Sequence, residues 1–198
     1  MPVQRELHFG GRGGKRAGAG RPRKLPGRVP HAPRARLSRH RPVHVTLRLR
    51  SGLPRLRRRD EYRALRRAFD GGRERFGFRL IQYSVQADHL HLIAEADGER
   101  SLARGIQGLS VRIARALNRL WRRRGKLFLE RYHAHVLRTP LEVRRALVYV
   151  LQNARKHGGW LVRGAPDPYS SAGSFDGWRT DSPVSLQTSP VTTPRSGL

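Results

Sequence analysis

Hydrophobic and polar positions along this chain follow two periods, and the switches between them mark its elements. Val43-His44-Val45-Thr46-Leu47-Arg48-Leu49 alternates without interruption. Alternation of period two sends successive side chains to opposite faces of an extended chain. A strand is therefore predicted, with Val43, Val45, Leu47 and Leu49 against a core. Gly52 and Pro54 break it. From about Asp60 the period lengthens: Tyr62, Leu65 and Phe69 recur at helical spacing until Gly71-Gly72. Phe78–Val85 reads as a second strand. A tight Ala87-Asp88 connection joins it to a third over His89–Ala96. Ser101 is placed as the N-cap of a long helix with Leu102, Ile106, Leu109, Ile113, Leu117 and Leu120 on one side. After Gly125, Lys126–Arg138 reads as the last strand. Thr139, Pro140 and Glu142 then fit the N-cap, N1 and N3 positions of a final helix. Its apolar side is Leu141, Val143, Ala146, Leu147, Val150 and Leu151, and Gly158-Gly159 stops it.

The order strand–helix–strand–strand–helix–strand predicts an α+β domain of ferredoxin-like architecture. An antiparallel sheet would carry helices on one face, with a further helix bearing Tyr149 appended after the last strand. Residues 43–178 make up this domain. Residues 1–42 hold twelve Lys or Arg against the single acid Glu6 and show no hydrophobic period. Such a segment cannot bury enough apolar surface to offset its ordering entropy, so a disordered basic tail is expected. Residues 179–198 are expected to be a second disordered tail, with Tyr169, Phe175 and Trp178 as candidates to fold back on the domain.

Charge narrows the function. Lys and Arg number 42 against 14 acids, a formal net charge of +28. An excess of this size implies a polyanionic partner, nucleic acid above all. Arg predominates over Lys, which suits bidentate phosphate contacts and stacking on bases. Gly20-Arg21-Pro22 with Arg23 and Lys24 resembles an AT-hook, whose extended Arg-Pro segment lies in a narrow minor groove. A basic tail that holds phosphates without sequence preference accounts for the same residues equally well. Arg104, Arg112, Arg115 and Arg119 line the long helix with no acid between them, and a phosphate-facing surface is expected there. The chain has no cysteine, which removes disulfides and thiolate metal sites. No apolar run reaches the roughly 18 residues of a membrane span, and none follows Met1 as a signal segment. A cytoplasmic protein without a membrane partner is expected.

Candidate chemistry concentrates in Asp88-His89-Leu90-His91-Leu92-Ile93-Ala94-Glu95. His89 and His91 share one face of the predicted strand, about 6.6–6.8 Å apart along it, close enough for both rings to lean onto one metal ion. Tyr149, Asn153 and His157 form a stripe on the final helix. Read without other information, Tyr149 is a core tyrosine and Asn153 a surface residue. A hydroxyl one turn from an amide oxygen nevertheless fits a particular task. The amide can complete a site begun by two histidines and set the hydroxyl beside it.

His-Leu-His on a strand, followed later by Tyr149 and Asn153 on one helix, resembles the single-tyrosine HUH transposases. The likeness is closer to their REP-associated tyrosine transposase branch. Those proteins have a segment like Arg131-Tyr132-His133-Ala134-His135-Val136-Leu137-Arg138 before a helix reading Tyr-x-x-x-Asn-x-x-Lys-His-Gly. This chain has Tyr149, Asn153, Lys156, His157 and Gly158, with Ala154 where many members have proline. The resemblance spans about residues 43–178. It implies a bacterial, nucleoid-associated enzyme that cuts and rejoins single-stranded DNA, acting on hairpin-forming repeats as a monomer or homodimer. His89, His91 and Asn153 would hold a divalent cation, Mg2+ or Mn2+. Tyr149 would attack the scissile phosphate, leaving a 5′-phosphotyrosine and a free 3′-OH. Arg131, His135, Lys156 and His157 would contact DNA. Two neutral imidazoles and a neutral amide leave such an ion its full charge for polarising a phosphate oxygen. A phenol, with an ordinary pKa of about 10, needs help to lose its proton at neutral pH.

Two rivals stay open at this level. His133 and His135 are a second His-x-His, beside Tyr132, and could themselves be a metal pair. A non-catalytic DNA- or RNA-binding protein of the same fold would explain charge and architecture equally. Tyr62 and Tyr83 read as structural, and Tyr169 as outside the core.

Overall fold

The computed structural model describes residues 37–39, 41–156, 165–177 and 190–195, apart from the side chains of 154–156. The basic segment with Arg21, Arg23 and Lys24 lies outside the described residues, as do His157 and Trp178. In chain order the elements are β1 (Val43–Arg48), α1 (Arg59–Asp70), β2 (Glu74–Arg75), β3 (Phe78–Val85), β4 (His89–Ala96), α2 (Glu99–Leu120), β5 (His133–Val136) and α3 (Pro140–Lys156). A 3-10 turn follows at Ala172–Ser174. The five strands form one antiparallel sheet in the order β2-β3-β4-β1-β5. Without the two-residue β2, this is the expected ferredoxin-like α+β arrangement.

Alternation explains the layering. Val43, Val45 and Leu47 of β1 stand opposite Ala94, Leu92 and Leu90 of β4, and this face joins the main core with Leu65 and Phe69 of α1 and Leu102, Ile106, Leu109, Ile113 and Leu117 of α2. The other face carries His44, Thr46, His91 and Ile93, and α3 lies against it. Six residues make a separate small core there: Ile81, Ile93, Leu137, Val143, Ala146 and Val150. The sheet therefore separates α1 and α2 from α3.

Two strands depart from expectation. In β3 the register slips between Leu80, opposite Ala94, and Gln82, opposite Ile93. This bulge at Ile81 exchanges which parity faces the core, with Phe78 and Leu80 before it and Tyr83 and Val85 after it. The last strand is shorter than Lys126–Arg138. Residues 127–129 bond to the end of β1 through Arg50 N–H to the Leu127 carbonyl and Leu129 N–H to the Arg48 carbonyl. The chain then leaves the sheet and returns only at His133. The long helix begins at Glu99, two residues before the expected cap at Ser101. At the start of α3, Thr139 Oγ1 accepts from the Glu142 N–H as predicted, and the Glu142 carboxylate draws on the backbone N–H groups of both Arg138 and Thr139.

The outer edge of β3 is covered. Ser171 N–H donates to the Tyr83 carbonyl, Val85 N–H to the Tyr169 carbonyl, and Thr192 N–H to the Leu80 carbonyl. Residues 190–195, within the stretch expected to be a disordered tail, thus lie against the sheet, and the Arg195 N–H reaches Glu95 Oε2. Tyr169 is also nearer the core than expected: its ring meets Tyr62 edge-on, with the Arg57 guanidinium over it.

The segment 165–177 is fastened by one ion pair. Both Arg57 guanidinium nitrogens donate to Asp167 carboxylate oxygens at 2.8 Å, and the side chains are 21 % and 1 % exposed. Removing one member of a buried pair strands the other charge. Asp167→Ala is expected to lower the unfolding free energy by about 3 kcal/mol, toward the low end of the range for buried pairs because Arg57 keeps some solvent. Urea denaturation of both proteins checks this.

Candidate active site

Antiparallel register assembles the site. Thr46 of β1 stands opposite His91 of β4, and His44 opposite Ile93. On its other side β1 pairs with β5, where His133 faces Thr46 and His135 faces His44. Directly paired residues share a face. Both His-x-His pairs therefore lie on the α3 side of the sheet, with β1 between them.

The two pairs are not equivalent. His91 is buried and His89 half-buried, and their Nε2 atoms are 3.0 Å apart. His133 and His135 are exposed at the sheet edge. Each ring of the β4 pair has an outer partner for its other nitrogen. His89 Nδ1 lies 2.7 Å from Asp88 Oδ1. That hydrogen bond holds the Asp88 carboxyl below the usual carboxylate range. His91 Nδ1 lies 3.2 Å from His44 Nε2 and 3.3 Å from Thr46 Oγ1. Burial, with His135 and His133 beside it, brings the His44 imidazole down to about 4. It is neutral at pH 7.

α3 closes the arrangement from above. The Tyr149 hydroxyl is 3.5 Å from His91 Nε2, and its ring meets His91 and His44 edge-on at centroid distances of 5.0 and 5.8 Å. The helix is held by Val143, Ala146 and Val150 on the small core, and Asn153 continues that buried stripe. Asn153 is 0 % exposed, yet neither Oδ1 nor Nδ2 has a hydrogen-bond partner among the described residues. A buried amide left unpaired costs about 1–3 kcal/mol.

Among the described residues no group of three or more His, Cys, Asp or Glu gathers for a metal ion. A two-histidine-plus-amide set is the one to test. Ligands at about 2.1 Å and right angles, as in an octahedral site, stand about 3.0 Å apart. The 3.0 Å between His89 Nε2 and His91 Nε2 fits that spacing. The orphaned Asn153 amide supplies a spare oxygen. In donor chemistry, two imidazole nitrogens and an amide oxygen suit a divalent ion. Asn153→Leu is expected to raise the stability of the metal-free protein by about 1 kcal/mol and, if the amide is a metal ligand, to abolish metal-dependent cleavage. Thermal unfolding in a chelator, set against cleavage assays, separates the two effects.

Other candidates fall elsewhere. Tyr132 packs against the main core, on the face away from His133 and His135. Tyr62 and Tyr83 share a hydrogen bond of 3.0 Å between their hydroxyls, and burial pushes both phenols upward. Arg104, Arg112, Arg115 and Arg119 are exposed on α2, so the sheet stands between them and Tyr149. Arg104 lies over the ring of Phe76 at 4.6 Å. Arg131 and His135 border the β5 edge. The backbone of Lys156 ends α3. A hollow of about 1120 Å³ lies between α2 and the β1–β5 half of the sheet, on an apolar floor of Val43, Leu102, Ile106 and Val136. Its wall continues along the β5 edge through Arg131, His135 and Arg138 to Glu142 of α3. His44 and Thr46 are the site residues that sequence reasoning left without a role. Their only signal was the alternation that put them on the polar face of β1.

No protein-family model matches this chain, and no curated protein matches it. A solved structure does. The structure of a REP-associated tyrosine transposase bound to a REP hairpin is 19 % identical in sequence, with a TM-score of 0.58 over 72 % of this chain and 82 % of that one. Likeness at that identity is likeness of fold: this chain has the sheet and helix arrangement of a REP-associated tyrosine transposase.

Proposed function

We propose that the protein is a metal-dependent single-stranded DNA endonuclease and strand transferase with Tyr149 as nucleophile. The observation that carries this reading is the meeting of three groups: the Tyr149 hydroxyl, 3.5 Å from His91 Nε2, and His89 Nε2, 3.0 Å beyond. The Tyr149 oxygen attacks the scissile phosphorus, the bond from phosphorus to the 3′-oxygen breaks, and the 5′-phosphate stays on the tyrosine. The phenolic proton leaves, and the departing 3′-oxygen takes one up. Rejoining reverses these changes, so the phosphodiester energy is kept in the phosphotyrosine and no nucleotide cofactor is consumed.

His89, His91 and Asn153 would hold Mg2+ or Mn2+, which supplies Lewis-acid polarisation of a non-bridging phosphate oxygen. α3 sets the hydroxyl beside that position, so attack needs no rearrangement of the sheet. Exposed His135 and Arg131 at the β5 edge would hold the strand by its phosphates, and the net charge of +28 attracts it to the protein. The fold neighbour's REP hairpin supports hairpin-forming single strands as the substrate class. A non-catalytic binder would have the same charge but no use for a buried, unpaired Asn153.

The test is incubation with hairpin-bearing single-stranded oligonucleotides and Mn2+ or Mg2+. The expected product is a protein–DNA adduct that survives a denaturing gel. If no hairpin substrate yields an adduct with either metal, the binder reading replaces this one.

A further inference from the structure

We propose that His44 is a positioning residue, holding His91 in the tautomer that presents Nε2 to the site as a bare lone pair. This rests on the reading of His91 as a metal ligand. A neutral imidazole carries one N–H, and the nitrogen that binds metal is the other one. The surroundings of His91 are divided accordingly. Nε2 has the site-facing neighbours His89 Nε2 and Tyr149 Oη, while Nδ1 has His44 Nε2 at 3.2 Å and Thr46 Oγ1 at 3.3 Å. Only one proton fits between His44 Nε2 and His91 Nδ1. Engaging a metal through Nε2 puts that proton on Nδ1 and leaves His44 Nε2 to accept it.

Thr46 does not do this work alone. A hydroxyl serves either tautomer by rotating, whereas His44 Nε2 changes from acceptor to donor only if the ring's own proton moves from Nδ1. His44 is held in place: its ring tilts 34° against His91 and stands edge-on to Tyr149. β1 pairs on both sides, with β4 and with β5, so its backbone cannot shift to move the ring away. Asp88 stands in the same relation to His89, as acceptor for Nδ1. Each histidine of the pair thus has an outer partner behind it, the arrangement by which metal-binding imidazoles are oriented.

The experiment compares Mn2+ binding, by calorimetry and by electron paramagnetic resonance, in the full-length wild type, His44→Leu and His44→Gln, without DNA. Glutamine places a carbonyl oxygen near the former Nε2, whereas leucine offers no acceptor. The expected result is a 10–100-fold weaker affinity in His44→Leu, largely restored in His44→Gln. Long-range nitrogen–proton NMR of the Mg2+-saturated wild type is expected to find the His91 proton on Nδ1, a readout that does not depend on any variant folding. Wild-type affinity in His44→Leu, or a proton on Nε2 of His91 in the Mg2+-saturated protein, overturns the role of His44 alone. A wild type that binds neither metal overturns the metal-site reading and this inference with it, whatever DNA chemistry is then found.

Discussion

Tyr149→Phe is expected to eliminate the covalent DNA adduct and to cut strand cleavage by on the order of 10⁴-fold or more, the scale seen when a covalent nucleophile is removed. The substitution takes away one oxygen. The ring keeps its edge-on contacts with His91 and His44, and the helix keeps its seat through Val143, Ala146 and Val150. Folding and metal binding should therefore be unchanged, which distinguishes a lost nucleophile from a lost structure. Tyr132→Phe is the control. Its hydroxyl belongs to a ring on the main-core side, and activity should persist. Mass-spectrometric mapping of the attached peptide decides the matter directly. Attachment at Tyr132, or an active Tyr149→Phe, would move the chemistry to the 131–138 segment.

Loss of one histidine ligand should be nearly as severe. His89→Ala is expected to reduce metal-dependent cleavage by on the order of 10³-fold, the upper range for removing one group that stabilises developing charge at a reaction centre. His89 is the cleaner of the two sites because it is half-buried, whereas His91 is buried between His44, Thr46 and Tyr149 and its removal would leave a hole. DNA affinity, dominated by phosphate contacts elsewhere on a +28 chain, should stay within a few-fold of wild type in a filter-binding assay. Normal cleavage by His89→Ala at saturating Mn2+ would reject the metal assignment.

Much of this arrangement could be read from the chain because local pattern and tertiary environment agree over β1, β4 and the helices. Where they disagree, the reading loses detail. Phe78-Arg79-Leu80-Ile81-Gln82-Tyr83-Ser84-Val85 shows no clean alternation, since Ile81 is the extra residue of a bulge and parity reverses around it. Leu141 looks like part of the apolar stripe of α3 yet is exposed, because the small core reaches only as far as Val143. Asn153 looks like a surface residue and is buried, because it continues the stripe of Val143, Ala146 and Val150 that faces the sheet. His44 could not be found from its own strand. Its role depends on the β1–β4 register, which pairing across 47 residues of sequence sets and no local pattern encodes.

α3 rests on a core of its own, apart from the one that unites α1, α2 and the other face of the sheet. Separation of the two cores predicts that this helix opens without the α1–α2 side following. Native-state hydrogen exchange should find its amides protected by a smaller opening free energy than those of α1 and α2. Tyr149 and Asn153 both lie on that helix, so a single departure would take hydroxyl and amide away from the histidines together. A strand covalently joined to Tyr149 and held at the histidines would bind the lowered helix and not the raised one, and should slow α3 exchange selectively. A joined DNA end would then be carried on an element that opens apart from the rest of the domain, free to turn with it toward the next partner.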